Sequence, residues 1–151
     1  MNKPQIKVAT IDLYNNERNE GMRCIKEIVT DAGKNNYNVD LKYDVFETRY
    51  KGDIPDLNYD IFISSGGPGS PFEDEDKQWD KDYFTLLDKI WNHNQTSKQK
   101  KYIFFICHSF QMMARYFQFG EVNKRFINSF GVMPFQKTDE GKNDPILKEL
   151  T

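Results

Sequence analysis

The run Tyr102-Ile103-Phe104-Phe105-Ile106-Cys107 is apolar at nearly every position and lacks the polar alternation of a strand with one wet face. Such a run predicts a strand buried on both faces, as in the centre of a parallel sheet. Beyond it, in His108-Ser109-Phe110-Gln111-Met112-Met113-Ala114, the period changes. Phe110, Met113, Ala114 and Phe117 recur at helical spacing, with Gly120 as the expected stop. Cys107 stands where the strand turns into the helix.

The same alternation of periods extends outward on both sides. Ile6 to Leu13 reads as a β-branched strand, Asn15 to Gly21 as a loop with a helix cap, and Met22, Ile25, Ile28 and Val29 as a helix that Gly33 would end. Val39 to Phe46 alternates with period two and predicts the second strand. After the Gly52–Pro55 break, Tyr59 to Ser64 predicts a third strand, which feeds the loop Ser65-Gly66-Gly67-Pro68-Gly69-Ser70-Pro71. Phe72 to Asp82 is mostly acidic and polar; Tyr83, Phe84, Leu86, Leu87, Ile90 and Trp91 then follow a helical face. Downstream, a short strand is expected near Val132–Gln136, a turn over Thr138–Asn143 and a helix start at Asp144-Pro145.

Strands that alternate with helices build βαβ units. The predicted fold class is α/β: a three-layer αβα sandwich, flavodoxin-like, with a mostly parallel sheet, in a single domain over residues 1–151. In such sheets ligands gather at the C-terminal ends of the strands. Two unusual loops fall there, Ser64–Pro71 and Ile106–Gln111.

Composition excludes several functions. Lys+Arg of 21 against Asp+Glu of 23 leaves a net charge of −2, no general field for nucleic acid or an anionic membrane. Aromatic residues at 15% supply core volume that the 38% hydrophobic fraction alone would not. Two cysteines, Cys24 and Cys107, make neither a disulfide scaffold nor a zinc site, and no metal or other cofactor is expected. No signal peptide or membrane-length apolar run is present, so reduced thiols in a cytoplasm are expected.

A cysteine at a strand-to-helix turn has its sulfur near backbone N–H groups and the positive helix end. That setting favours the thiolate and suits covalent catalysis, whereas an ordinary buried cysteine would be inert. The glycines of Ser65–Pro71 let backbone approach a ligand closely. The loop lacks the Gly-Lys-Ser/Thr ending of a P-loop, and the Glu73-Asp74-Glu75-Asp76 run that follows would repel phosphate. The remaining chemical role is an oxyanion hole, fixed N–H groups aimed at a carbonyl oxygen becoming negative.

Tyr59 through Pro71 resembles the third strand and oxyanion loop of class I glutamine amidotransferases. Ile103 to Gln111 resembles their nucleophile elbow, Gly-x-Cys-x-Gly-x-Gln. Phe130-Gly131-Val132 through Glu140-Gly141 to Asp144-Pro145-Ile146-Leu147 is similar to the segment those domains place before their catalytic histidine. The resemblance implies a GMP-synthase-type amidotransferase domain with Cys107 as nucleophile. Gly67 and His108 would supply oxyanion-hole N–H groups beside Gly66, and Gln111 would help hold glutamine. The implied partners are glutamine and a synthase domain or subunit that accepts ammonia.

Three positions depart from that pattern. Phe105 replaces the expected glycine, so its ring must find a pocket or open the turn. His108 replaces an apolar or aromatic residue and is expected to face solvent or line a pocket. The family's His-x-Glu pair is absent: the only histidines are His93, expected to be exposed, and His108. Either the sequence is a C-terminally truncated amidotransferase, or it is a non-catalytic binding or regulatory relative. Cys24, placed on the apolar side of the first helix, is expected to be unreactive.

Overall fold

In a computed structural model of the chain, which describes residues 3–36, 38–127, 131–132, 134 and 136–148, β1 (Gln5–Ile11) lies inside a four-stranded sheet. β2 (Asp40–Phe46) and β3 (Ile61–Ser64) flank it, and β4 (Tyr102–Phe105) pairs with β3. All three pairings are parallel, in the order β2-β1-β3-β4, with Val8 opposite Ile61 and Ser64 opposite Phe105. This is the strand order of the flavodoxin-like doubly wound sheet.

The side-chain period of two along β1 divides the apolar residues between two cores. Val8 packs with Ile25 and Val29 of α1 (Glu20–Asn35) on one face. Ala9 and Ile11 pack on the other with Phe62, with Trp79, Tyr83, Leu86, Leu87 and Ile90 of α3 (Gln78–Thr96), and with Met112 of α4 (His108–Tyr116). Helices on both faces make three layers. Each large side chain so buried contributes about 1.5–3 kcal/mol. The fully buried Tyr83 satisfies its hydroxyl against Ser64 Oγ at 2.9 Å. Among the described residues no helix is long and apolar enough to cross a membrane.

Local signals set several boundaries as expected and others differently. Asn19 caps α1, its side chain accepting from Met22 N–H at 2.8 Å. Gly33 does not stop that helix. It lies where a β-carbon would come within 3.2 Å of Leu41 Cβ, so its role is the close approach of α1 to β2. The four-residue α2 (Thr48–Lys51) is too short to leave a periodic signal and ends at Gly52 with φ 75°. α3 starts at Gln78, earlier than its aromatic run implies, because Trp79 in the acidic segment already faces the core. α4 stops at Tyr116, with Gln118 at φ 56°, before Gly120 is reached.

β4 is the largest departure. It forms the edge of the described sheet, where Tyr102 and Phe104 are 66% and 65% exposed and only Ile103 and Phe105 reach the α3-side core. The α1-side core takes residues from β1, β2 and β3 but none from β4. Apolarity marked the strand; what covers its second face depends on where α1 lies.

Near the C-terminus, Thr138 caps α5 (Asp139–Asn143), accepting from Gly141 N–H at 3.1 Å where a turn was expected. At Asp144-Pro145 the expected helix start has its cap: the extended Asp144 (φ −67°, ψ 132°) accepts from Ile146 N–H at 2.8 Å and Leu147 N–H at 2.9 Å, and Lys148 N–H closes a turn on its carbonyl at 3.0 Å. The strand expected near Val132–Gln136 includes Met133 and Phe135, which fall outside the described residues.

Candidate active site

β4 ends with Ile106 N–H donating to Ser64 carbonyl at 3.0 Å, and the chain then reverses at Cys107. Cys107 has φ 52° and ψ −102°. A non-glycine residue held there stores about 1–3 kcal/mol of strain. α4 starts at the next residue, and Gln111 N–H closes its first turn on the Cys107 carbonyl at 3.1 Å. The buried Ser109 hydroxyl accepts from Ile106 N–H at 3.0 Å and donates to Ser64 carbonyl at 2.8 Å. A small polar residue two places past the cysteine thus ties the elbow to β3. Phe105 does not open the turn, since its ring packs into the α3-side core.

The Gly66–Gly69 loop runs beside this elbow. Ser65 anchors its start: its N–H donates to Ile11 carbonyl at 3.0 Å, and its hydroxyl accepts from Leu13 N–H at 2.9 Å. A β-carbon on Gly66 would stand 3.6 Å from Cys107 Cβ and 3.1 Å from the Tyr14 hydroxyl. One on Gly67 would meet Leu13 carbonyl oxygen at 2.6 Å, so only glycine fits. As the first residue of α4, His108 has a backbone N–H without an intrahelical partner. Cys107 itself is exposed.

No protein-family model matches the sequence, and no curated protein sequence matches it. Among solved structures, a glutamine amidotransferase from Thermotoga maritima is similar, with 24% identity and a TM-score of 0.51. The chain has the fold of that amidotransferase. The match covers 73% of this chain and 42% of the other, so the chain spans less than half of that protein's length.

Within this amidotransferase-type fold, the remaining sequence candidates separate. Gln111 is exposed on α4, one turn past Cys107. His108 does not face solvent. Its side chain is buried at 3% exposure and bonds the Gly69 backbone, and burial first, then the Arg49 charge, pushes its pKa below the ordinary value of 6.5. His93 is half-buried, with Nε2 2.9 Å from the Gln99 carbonyl. It sits in the last turn of α3 just before β4, and so at the opposite end of the strands from Cys107. Cys24 is exposed and not on the apolar side of α1, whose buried stripe narrows to Ile25 and Val29.

Three residues at the site went unread in the sequence. Tyr14 follows β1, and its hydroxyl fits the notch left by Gly21 and Gly66; burial, then the charges of Cys107 and Asp12, raise its pKa above 10.0, so it is a donor at neutral pH. Arg49 and Asp74, each with a side chain only 9% exposed, form an ion pair at 2.7 Å beside the loop. A lone arginine in a polar stretch gives no local signal. The acidic run suggested only repulsion of phosphate, yet Asp74 turns inward to meet Arg49.

Proposed function

We propose that the chain is a class I glutamine amidotransferase-type domain that releases ammonia from glutamine through Cys107. The observation that carries this reading is Cys107 itself, exposed in a strained strand-to-helix turn with Gly66 against its β-carbon. In the proposed step the Cys107 thiolate attacks the side-chain amide carbon of glutamine. The carbonyl oxygen becomes negative and is met by the N–H groups of Gly67 and His108. The carbon–nitrogen bond then breaks, and the departing nitrogen takes a proton to leave as ammonia. Water hydrolyses the glutamyl thioester, giving glutamate and restoring the thiol. Gln111, on the first turn of α4, is assigned to hold the glutamine.

The finer reading is a GMP-synthase-like domain over residues 1–151 in the cytoplasm, passing ammonia to a synthase domain or subunit. His93 lies at the far end of the strands and His108 bonds the Gly69 backbone, so neither histidine is assigned as the base that takes the thiol proton. Purified chain incubated with glutamine, alone and with a candidate synthase, should release ammonia and glutamate in equal amounts, and Cys107→Ser should abolish both. No release in either condition would overturn the catalytic reading.

The place of His93 at the far end of the strands from Cys107 favours a second reading, a non-catalytic module that keeps the cleft and binds glutamine or a related ligand. Calorimetric binding of glutamine without turnover would select it.

A further inference from the structure

Arg49 lies on α2, away from the elbow in sequence and outside every motif considered above. Its guanidinium nonetheless reaches the glycine loop. Nη1 donates to the Pro68 carbonyl at 2.6 Å and approaches the Leu13 carbonyl at 3.4 Å. Nη2 stands 2.7 Å from Asp74 Oδ2, and the guanidinium carbon lies 5.5 Å from the Trp79 ring centre. Asp74 is held in turn by Lys77 at 2.6 Å. A β-carbon on Gly67 would sit 3.4 Å from Arg49 Nη1, and one on Gly69 3.6 Å from Nη2. The planar fork therefore lies along the loop and is fixed by a carboxylate, an aromatic face and two carbonyls.

We propose that Arg49 is the positioning residue of the oxyanion loop, holding the Pro68 carbonyl so that the Gly66–Gly69 backbone stays aligned with Cys107. The proposal rests on the oxyanion role assigned to that loop. Gly67 and Gly69 have no side chains to hold them in place, and Gly69 has a positive φ of 83°. Glycine backbone turns over readily unless something outside the loop fixes it. The bond to the Pro68 carbonyl fixes the Pro68–Gly69 peptide plane and so the Gly69 N–H. The approach to the Leu13 carbonyl, against which Gly67 packs, steadies the loop on the Gly67 side. The His108 side chain hydrogen-bonds the backbone of the next residue, Gly69. Lysine could supply the charge but not the two-pronged geometry, so the arginine is specific.

The test uses the full chain with Arg49→Lys and Arg49→Ala, and two readouts. In 15N relaxation, the wild-type Gly66, Gly67 and Gly69 amides should have order parameters near about 0.85, falling below about 0.6 in Arg49→Lys. The Ser65 and β3 amides should not change. The second readout compares alkylation of Cys107 by iodoacetamide with labelling by a glutamine-mimicking chloroketone. Arg49→Lys should slow the chloroketone roughly 100-fold, leave iodoacetamide within about twofold, and recover partly with added guanidinium ion. Should Arg49→Ala fail to fold, Arg49→Lys decides alone. Unchanged loop amides, or loosening that spreads into β3, would overturn the proposal. A wild-type chain that prefers the chloroketone no more than iodoacetamide would overturn the amidotransferase reading, and the relaxation data would still decide the role of Arg49.

Discussion

The Ser109 hydroxyl and the Ser64 carbonyl are joined at 2.8 Å, so the start of α4 is fastened to the end of β3 through the inside of the elbow. Ser64 also accepts from Ile106 N–H, and Ile106 N–H is shared with Ser109. Ser109→Ala removes the two hydroxyl bonds of this triangle and leaves Ile106 N–H on the Ser64 carbonyl, so neither backbone group is orphaned. The expected loss is about 1 kcal/mol, read as a lower urea midpoint with an unchanged slope.

Strain at Cys107 gives a second expectation, of opposite sign. At φ 52° and ψ −102° only glycine is comfortable, so Cys107→Gly should raise stability by about 1 kcal/mol or more while removing the thiol. Cys107→Ser keeps the β-carbon and should gain nothing. A Cys107→Gly chain less stable than wild type would show that the turn is not strained.

Both cysteines are exposed, so access does not distinguish them. Cys107 lies at the N-terminus of α4, whose first N–H groups lack intrahelical partners and can hydrogen-bond an attacking sulfur, whereas Cys24 lies within α1. Alkylation at neutral pH should therefore modify Cys107 faster than Cys24, as peptide mapping of Cys24→Ser and Cys107→Ser chains would record. Equal rates would remove the case for an activated Cys107.

Gly67 and Gly120 form a matched pair. A β-carbon at Gly67 meets Leu13 carbonyl oxygen at 2.6 Å, and one at Gly120 meets nothing within 4 Å. Gly67→Ala should cost about 1–3 kcal/mol by overpacking and disturb any ligand bound at Cys107. Gly120→Ala should stay within about 0.5 kcal/mol. Thermal melts of the two variants make the comparison.

Asp80 makes the fold sensitive to pH. It is buried on α3, and burial raises its pKa from 3.8 to about 6, with Arg115 opposing and Asp74 and Glu75 adding to the rise. Because the folded value exceeds the unfolded one, its stabilising influence is complete below pH 3.8 and is lost as pH rises through about 6. Asp80→Asn, which stays neutral, should be more stable than wild type at pH 7 by up to about 3 kcal/mol. The difference should shrink towards zero near pH 4. His108 acts in the other sense: its lowered pKa makes the fold lose stability as pH falls through the ordinary histidine value of 6.5.

Much of the framework was legible locally. The β-branched run Ile6–Leu13, the period two of Val39–Phe46 and the run Tyr59–Ser64, with helical spacing after the first and third, marked the α/β order because these patterns belong to neighbouring residues. The glycines after Ser65 and the abrupt change of period at Cys107 marked the two loops at the strand ends for the same reason. Tertiary structure alone decided that β4 lies at the edge of the described sheet with Tyr102 and Phe104 exposed, that Cys24 faces outward, and that His108 is buried and bonds the Gly69 backbone. It also brought Arg49 of α2 to Pro68 and Asp74, and Gly66 to Cys107. Each of these depends on which distant segments pair and what covers them. Local spacing says which face of an element is apolar; only the packing of separate elements says what that face, or a long side chain beside it, finally meets.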